Sequence, residues 1–296
     1  MEVFYFCSMI IKGLLFDSGA TARVFQLLAS TLGFFLLTSL VIMLLTGGNL
    51  EPVGSLRLAQ GLQSVGLFML PPVFLAFLWS KRPFDYLQMN KAPAFPVILL
   101  IVLLMIAVIP LVNFVGDLNS RIEFPAFASK MLESMRQMET RAAQITEKML
   151  TADHAGQLAV NLLIVAVLPA IGEELYFRGI IQRLLHDRWG GHVAVWVAAI
   201  LFSAFHFQFF GFVPRLLLGA MMGYLLLWTG SMWAPVLAHF LNNGFAVLYF
   251  YFKSRVELPV NPEEAGNLES WWMIVPAAAL VLIILTGIRK NGRQTA

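Results

Sequence analysis

The residues with the most evident chemistry lie close together in one apolar run of the sequence. The run LPAIGEELYFRG covers residues 168–179 and contains Glu173, Glu174 and Arg178. Glu174 and Arg178 are four residues apart, so on a helix they share one face and can pair. Glu173 points about 100° away from Glu174 and can face a cavity, where a carboxylate can act as a general base. The structural alternative is a buried ion-pair cluster that only fixes helix packing.

Two further apolar runs each contain a histidine. Phe202 and His206 are four residues apart, and so are His239 and Asn243. A histidine within an apolar helix is often only a hydrogen-bonded packing residue. Ionisable groups inside a membrane are costly, however, and we treat both histidines as candidate site residues. Phe202 has no acid–base chemistry, and we predict that it packs.

Together these side chains suffice for hydrolysis of a peptide bond. A glutamate can act as the base, while histidines and an amide position water and stabilise an oxyanion. No covalent nucleophile is required: Ser203 lacks a nucleophile-elbow context, and Cys7, the single cysteine, is remote. The alternative is a divalent metal such as zinc, held by Glu173, His206 and His239, although the HExxH spacing is absent. The metal-free mechanism needs no cofactor.

The composition predicts a membrane protein around these residues. Of the 296 residues, 59% are hydrophobic and 12% are charged, far from the average of soluble domains. Apolar runs of about 18 residues or more recur along the chain, which is enough for a helix to cross the hydrocarbon core. The basic residues lie mainly at helix ends, which suits membrane topology better than nucleic-acid binding. We predict an all-α polytopic protein that contacts the lipid bilayer and no nucleic acid.

The apolar runs divide into eight predicted transmembrane helices. They cover residues 23–46, 61–80, 95–116, 157–185, 192–210, 212–229, 231–252 and 271–288. Residues 1–156 contain three spans and a polar insertion, residues 157–252 form a core of four spans, and residues 253–296 contain a loop and the last span. We interpret residues 1–18 as a membrane-surface segment.

The loops predict how the protein is oriented in the membrane. With eight spans, four groups of basic residues fall on the same side, namely Lys12, Arg23, Lys81, Arg82, Lys91, Arg183, Arg188, Arg289, Lys290 and Arg293. The loop 253–270 on the opposite side contains Glu257, Glu263, Glu264 and Glu269. Because basic loops stay in the cytoplasm, we predict a multi-pass protein of the cell membrane with both termini cytoplasmic.

Residues 117–156 form the one long polar insertion. Between Phe124 and Leu150, apolar residues recur at helical spacing and charged residues occupy the opposite face. This pattern predicts one extramembrane amphipathic helix that lies on the membrane surface or on neighbouring spans. Because the insertion is much longer than ordinary inter-helix loops, a role in selecting substrates is one hypothesis for it.

Three motifs follow one another on separate predicted spans, within roughly residues 157–250. They are Glu173-Glu174-x-x-x-Arg178, Phe202-x-x-x-His206 and His239-x-x-x-Asn243. In this order they resemble the motifs of the CAAX protease and bacteriocin-processing family of intramembrane proteases, also called CPBP or Abi, which is related to the type II CAAX prenyl endopeptidases. The first 150 residues resemble that family only in being hydrophobic helices.

The resemblance implies an eight-helix membrane endopeptidase that cleaves a membrane-associated or prenylated peptide or protein, in a cavity open to the cytoplasm and the bilayer. It also implies roles for the motif residues. Glu173 and His206 would activate the attacking water, and His239 and Asn243 would stabilise the oxyanion. Glu174 and Arg178 would support these four residues. Proteins of this family are often labelled metalloproteases, but a glutamate-protease mechanism needs no metal, and we favour that version.

Two other functions place similar residues in a membrane. A scaffold or immunity-type protein would use the polar cluster only for packing against a partner in the bilayer. A proton-coupled transporter would also carry carboxylates and histidines near the middle of the membrane, but the sequence shows no pair of inverted repeats. We favour the protease because all of the motif positions are occupied.

Overall fold

The computed structural model describes residues 12–122, 125, 127, 129–253, 255–256 and 265–292. Within these ranges the regular secondary structure is helical and contains no strand, which confirms the predicted all-α class. Six of the described helices are long and apolar enough to cross a membrane. Residues 1–11 of the predicted surface segment 1–18, the acidic residues of 257–264 and Arg293 lie outside the described ranges.

We number the longer helices in chain order. They are α1 (Ala20–Thr46), α2 (Val53–Trp79), α3 (Phe95–Ser120), α4 (Ser129–Leu150), α5 (Ala155–Trp189), α6 (Gly191–Ala204), α7 (Phe212–Thr229), α8 (Trp233–Lys253) and α9 (Ser270–Gly292). A short helical turn at Pro83–Tyr86 lies between α2 and α3.

The six candidate membrane spans are α1, α2, α3, α5, α7 and α9. Helix α6 has 14 residues, about 21 Å, and is shorter than the roughly 30 Å of hydrocarbon. The predicted span at 192–210 is therefore helical only as far as Ala204. Helix α8 is one continuous helix of 21 residues, but polar residues such as His239 and Asn243 interrupt its run of apolar side chains. The exact number of eight crossings stays a prediction.

The helices pack around two hydrophobic clusters. One joins α2 to α5 through buried residues such as Trp79 and Phe177. The other joins α3, α7, α8 and α9 through residues such as Ile101 and Leu225. Helix α1 contributes Leu27 to the first cluster but exposes large apolar side chains, among them Phe25, Leu28, Leu32, Leu36 and Leu44. Such an apolar surface is suited to lipid rather than to water.

Helix α4 is the predicted amphipathic helix, described from Ser129 onward. Phe124, where the pattern begins, lies outside the described residues. The carboxyl end of α4 is fixed to α2, because Arg57 Nη2 donates a hydrogen bond to the carbonyl oxygen of Met149 at 2.9 Å. Its middle approaches the loop after α6, where the backbone N–H of Phe210 donates to Glu139 Oε2 at 3.0 Å. Helix α4 therefore lies beside the segment that follows His206.

Candidate active site

The centre of the molecule contains a buried ion pair on α5. Arg178 Nη1 donates to Glu174 Oε1 at 2.9 Å, and both side chains have 0% exposure. Arg178 Nη2 donates to the carbonyl oxygen of Gly219 on α7 at 2.8 Å. The guanidinium also lies over the ring of Phe202 at 4.5 Å. The four-residue spacing predicted this pair, and the structure shows how α6 and α7 enclose it.

His239 on α8 lies between the two glutamates. Its Nδ1 is 2.8 Å from Glu174 Oε1, and its Nε2 is 3.8 Å from Glu173 Oε2. Because a carboxylate oxygen accepts, Nδ1 carries the proton and donates to Glu174. Nε2 then faces Glu173 as an acceptor in neutral His239, or as a second donor in the protonated ring.

Glu173 is less enclosed than its neighbour. Its side chain is 14% exposed, and its Oε2 atom is buried without a hydrogen-bond partner. A buried carboxylate oxygen without a partner is costly unless water or a ligand satisfies it. Glu173 Oε2 is therefore an acceptor that a water molecule or a polar group of a substrate would satisfy.

His206 lies just beyond the end of α6 and is exposed. Its Nδ1 is 2.9 Å from the carbonyl oxygen of Phe202. Since that oxygen can only accept, Nδ1 donates and a neutral ring keeps Nε2 as an acceptor. The next residue, Phe207, has a φ of 54°, a left-handed conformation that ends a helix. No ion pair joins His206 to Glu173, so the structure places His206 at the rim of the polar cluster.

Phe202 connects the two histidines. Its ring centroid is 5.0 Å from that of His206 and 5.9 Å from that of His239. It also packs edge-to-face against Phe177 of α5 at 5.3 Å. A residue predicted to pack thus holds both imidazole rings beside the ion pair, since its contacts fix their orientation.

Asn243 is anchored to an irregular part of α5. Its Nδ2 donates to the carbonyl oxygen of Val165 at 3.0 Å, and its Oδ1 accepts from Asn242 Nδ2 at 3.1 Å. Val165 belongs to the π-helical stretch Leu162–Val167. Pro169, four residues later, has no N–H to donate to that carbonyl. The proline therefore frees the acceptor that Asn243 uses, and the second N–H of the Asn243 amide remains for another partner.

Two glycines allow the helices around the site to approach closely. A Cβ at Gly172 would lie 2.9 Å from Phe68 Cβ and 2.9 Å from the carbonyl oxygen of Ser64 on α2. A Cβ at Gly219 would lie 3.1 Å from Phe202 Cδ1. Sequence reasoning missed both residues, although an isolated glycine inside a helical pattern is a known sign of close packing.

Sequence reasoning also missed a cation beside the cluster. Arg215, in the first turn of α7, donates from Nη2 to Gln208 Oε1 at 2.6 Å. Its Nη1 atom is buried without a hydrogen-bond partner. The charge of Arg215 interacts with those of Glu173 and Glu139. Its signal was present in the sequence, because an ionisable residue inside an apolar span is a candidate by default.

The residues suggested for a metal do not form a metal site. Across the described part of the chain, no group of three His, Cys, Asp or Glu side chains lies close enough to hold an ion. Glu173 and His239 are neighbours, but His206 stands apart at the rim. A zinc site needs at least three protein ligands around one point. The geometry therefore gives no support to a metalloprotease.

Comparisons with known proteins identify this part of the chain. Residues 155–245 match the family described as Type II CAAX prenyl endopeptidase Rce1-like, which confirms the resemblance seen in the motifs. The curated protein named Uncharacterized protein YpbD, from Bacillus subtilis (strain 168), is 28% identical over 88 residues, covering 28% of this chain. The match covers 42% of the length of that relative. No solved structure matches the chain.

Proposed function

We propose that the protein is an intramembrane endopeptidase, from the premise that residues 155–245 match the type II CAAX prenyl endopeptidase Rce1-like family. The observation that carries the proposal is the difference between two adjacent carboxylates. Both have a buried Oε2 without a hydrogen-bond partner. Glu174 Oε1, however, is held by Arg178 and His239 in a side chain of 0% exposure, whereas no hydrogen bond from the described residues holds the Glu173 side chain, which is 14% exposed. A carboxylate that lies inside an apolar protein and is not held by hydrogen bonds is suited to acid–base chemistry.

In the proposed reaction, Glu173 takes a proton from a water molecule as the water oxygen attacks the carbonyl carbon of the scissile peptide bond. The protonated Glu173 then gives this proton to the amine nitrogen as the C–N bond breaks. His206 offers Nε2 as an acceptor that orients the same water. This role requires the loop after α6 to move inward when substrate binds, since His206 lies at the rim.

The carbonyl oxygen becomes negatively charged during the attack and needs donors. In the proposal, two hydrogen-bond donors stabilise it: the Nε2–H of protonated His239 and the second N–H of the Asn243 amide. The pair of Glu174 and Arg178 supports them, because Glu174 accepts from His239 Nδ1 and fixes the direction of Nε2. These four residues therefore act as donors and as their positioning residues.

The proposed substrate is a membrane-associated or prenylated peptide or protein that reaches the site from the bilayer. In the proposed topology, α8 and α6 with its following loop add two crossings to the six apolar helices, and both termini lie in the cytoplasm. The mechanism requires no metal, because Glu173 supplies the base and the donors above supply the electrostatic stabilisation.

Proteolysis by the purified protein in detergent tests this proposal. The substrates are a labelled prenylated peptide ending in C-a-a-X and a labelled transmembrane peptide. We expect wild type to cleave at least one of them, and Glu173→Gln to lower the rate about 10²- to 10⁴-fold, the usual contribution of a general base. His206→Ala is also expected to lower the rate of cleavage. Activity should survive a strong chelator.

Matched control variants distinguish a loss of catalysis from a loss of folding. Glu147→Gln on the exposed face of α4 and His186→Ala at the exposed end of α5 change the same residue types away from the site. Both should cleave like wild type, and thermal unfolding should show that all variants fold. Cleavage by Glu173→Gln at the wild-type rate would show that the site is wrong. No cleavage by any protein would favour the scaffold or transporter alternatives.

A further inference from the structure

Arg215 has an environment that is incomplete for a guanidinium. The side chain is half-buried at the start of α7, and its Nη2 donates to a neutral amide, that of Gln208, at 2.6 Å. Among the residues that the structure describes, no carboxylate forms an ion pair with it, and Nη1 is buried without a partner. A guanidinium offers five N–H donors in a planar fork. Part of that fork is therefore free to bind an acceptor.

The position of Arg215 connects this free donor to the proposed site. Its Nη2 donates to Gln208, two residues after His206, so the guanidinium lies beside the loop that contains His206, and its charge interacts with that of Glu173. Gly211 brings the loop backbone against the guanidinium, since a Cβ there would lie 2.8 Å from Nη2. The loop and Gln208 therefore hold Arg215 in a fixed direction beside the segment that contains His206.

The nearest carboxylates are engaged elsewhere or are needed for the chemistry. Glu139 Oε2 accepts from the backbone N–H of Phe210, and Glu173 lies too far from Arg215 to form an ion pair with it. The ligand that best matches a guanidinium fork is a carboxylate, which can accept two parallel hydrogen bonds. A peptide substrate always has one such group at a defined place, which is its C-terminus.

We propose that Arg215 binds the C-terminal carboxylate of the substrate and so limits cleavage to bonds near the end of a chain. This inference rests on the proposed function and specifies its substrate class. In a chain ending in C-a-a-X, three residues follow the modified cysteine, and three extended residues span about 10 Å. One end of the peptide can thus contact Arg215 while a bond near the cysteine lies at Glu173.

A pair of matched peptides tests the proposal. The two prenylated peptides are identical except that one ends in a free carboxylate and the other in a C-terminal amide. Binding is measured at equilibrium on Glu173→Gln protein, and cleavage is measured with Glu173 intact. We expect the free acid to bind about 10- to 100-fold more tightly than the amide, since a hydrogen bond between charged groups has this strength. The acid should have a similar advantage in kcat/KM.

Arg215→Gln should remove the preference for the acid, so that the acid and amide peptides bind equally well and have the same kcat/KM. Arg215→Lys should restore part of the preference, because a lysine keeps the charge but not the fork. Arg136→Gln changes another arginine beside the same loop, over the ring of Phe210 at 4.8 Å, and should keep the full preference.

Two outcomes would overturn the inference without touching the proposed function. One is equal binding and cleavage of acid and amide by protein with Arg215 intact. The other is an equal loss for both peptides in Arg215→Gln, which would show that the arginine acts only through the charge of Glu173. The binding arm does not depend on cleavage, so a failure of the proposed endopeptidase would appear separately as an absence of product.

Discussion

Two neighbouring groups of polar side chains differ in how they are paired. In the paired group, Glu174 hydrogen-bonds both Arg178 and His239, at 2.9 and 2.8 Å. In the open group, Glu173, His206 and Arg215 form no ion pair with one another. The difference indicates two roles: the paired group stabilises the structure, and the open group binds water and substrate in the proposed reaction.

Removing the centre of the paired group should have the largest effect on stability. Glu174→Ala leaves the buried guanidinium of Arg178 without its carboxylate, and we expect the free energy of unfolding to fall by about 3–5 kcal/mol. Glu173→Ala removes the adjacent carboxylate and is expected to change stability much less. Unfolding by a denaturing detergent, followed by circular dichroism, measures both. Equal losses would contradict the division into two groups.

Asn243→Ala tests a residue between the two groups. We expect kcat for peptide cleavage to fall about 10²- to 10³-fold, the usual effect of losing one oxyanion donor. The structural bond to Val165 is also lost, so thermal unfolding must be compared in parallel. Asn291→Ala is the control, because its amide only donates to the carbonyl oxygen of Gly287 in α9. A large loss of stability with unchanged kcat would mean that Asn243 belongs to the supporting group.

Gly172→Ala should have the smallest effect of the three. Its new methyl group would meet Phe68 and the backbone of Ser64 at 2.9 Å, and overpacking of this kind costs about 1–3 kcal/mol. Gly244→Ala on α8 is the matched control, since the nearest atom to its Cβ is 4.0 Å away. Relative to wild type, the unfolding temperature should therefore fall clearly in Gly172→Ala and should not fall in Gly244→Ala. Similar unfolding temperatures would mean that α2 and α5 can separate easily.

The helical class and the Glu174–Arg178 pair follow from sequence because both depend on local spacing. Apolar runs of sufficient length predict spans, and residues four apart share a helix face. The match of residues 155–245 to an Rce1-like family was likewise foreseeable, since the three motifs lie within that range. These features need no knowledge of which helices are neighbours.

The position of His206 could not be derived in the same way. The run 192–210 stays apolar past Ala204, so hydropathy gives no sign that the helix ends there, and the left-handed conformation of Phe207 is not encoded by a glycine. The acceptor of Asn243 depends on Pro169 of another helix, and the need for Gly172 depends on α2. Each is a tertiary contact that one-dimensional spacing cannot report.

The location of Glu174 and Arg178 on one helix matters for how the chain is inserted during synthesis. A lone charged residue at the centre of a helix costs about 2.5–3.5 kcal/mol to place in the membrane. Since both charges belong to α5, they can neutralise each other as soon as that helix forms, before α7 and α8 have been made. His239 belongs to α8, which is made later, when the carboxylate of Glu174 can already be paired with Arg178. The finished protein thus keeps an ion pair that can form on α5 alone.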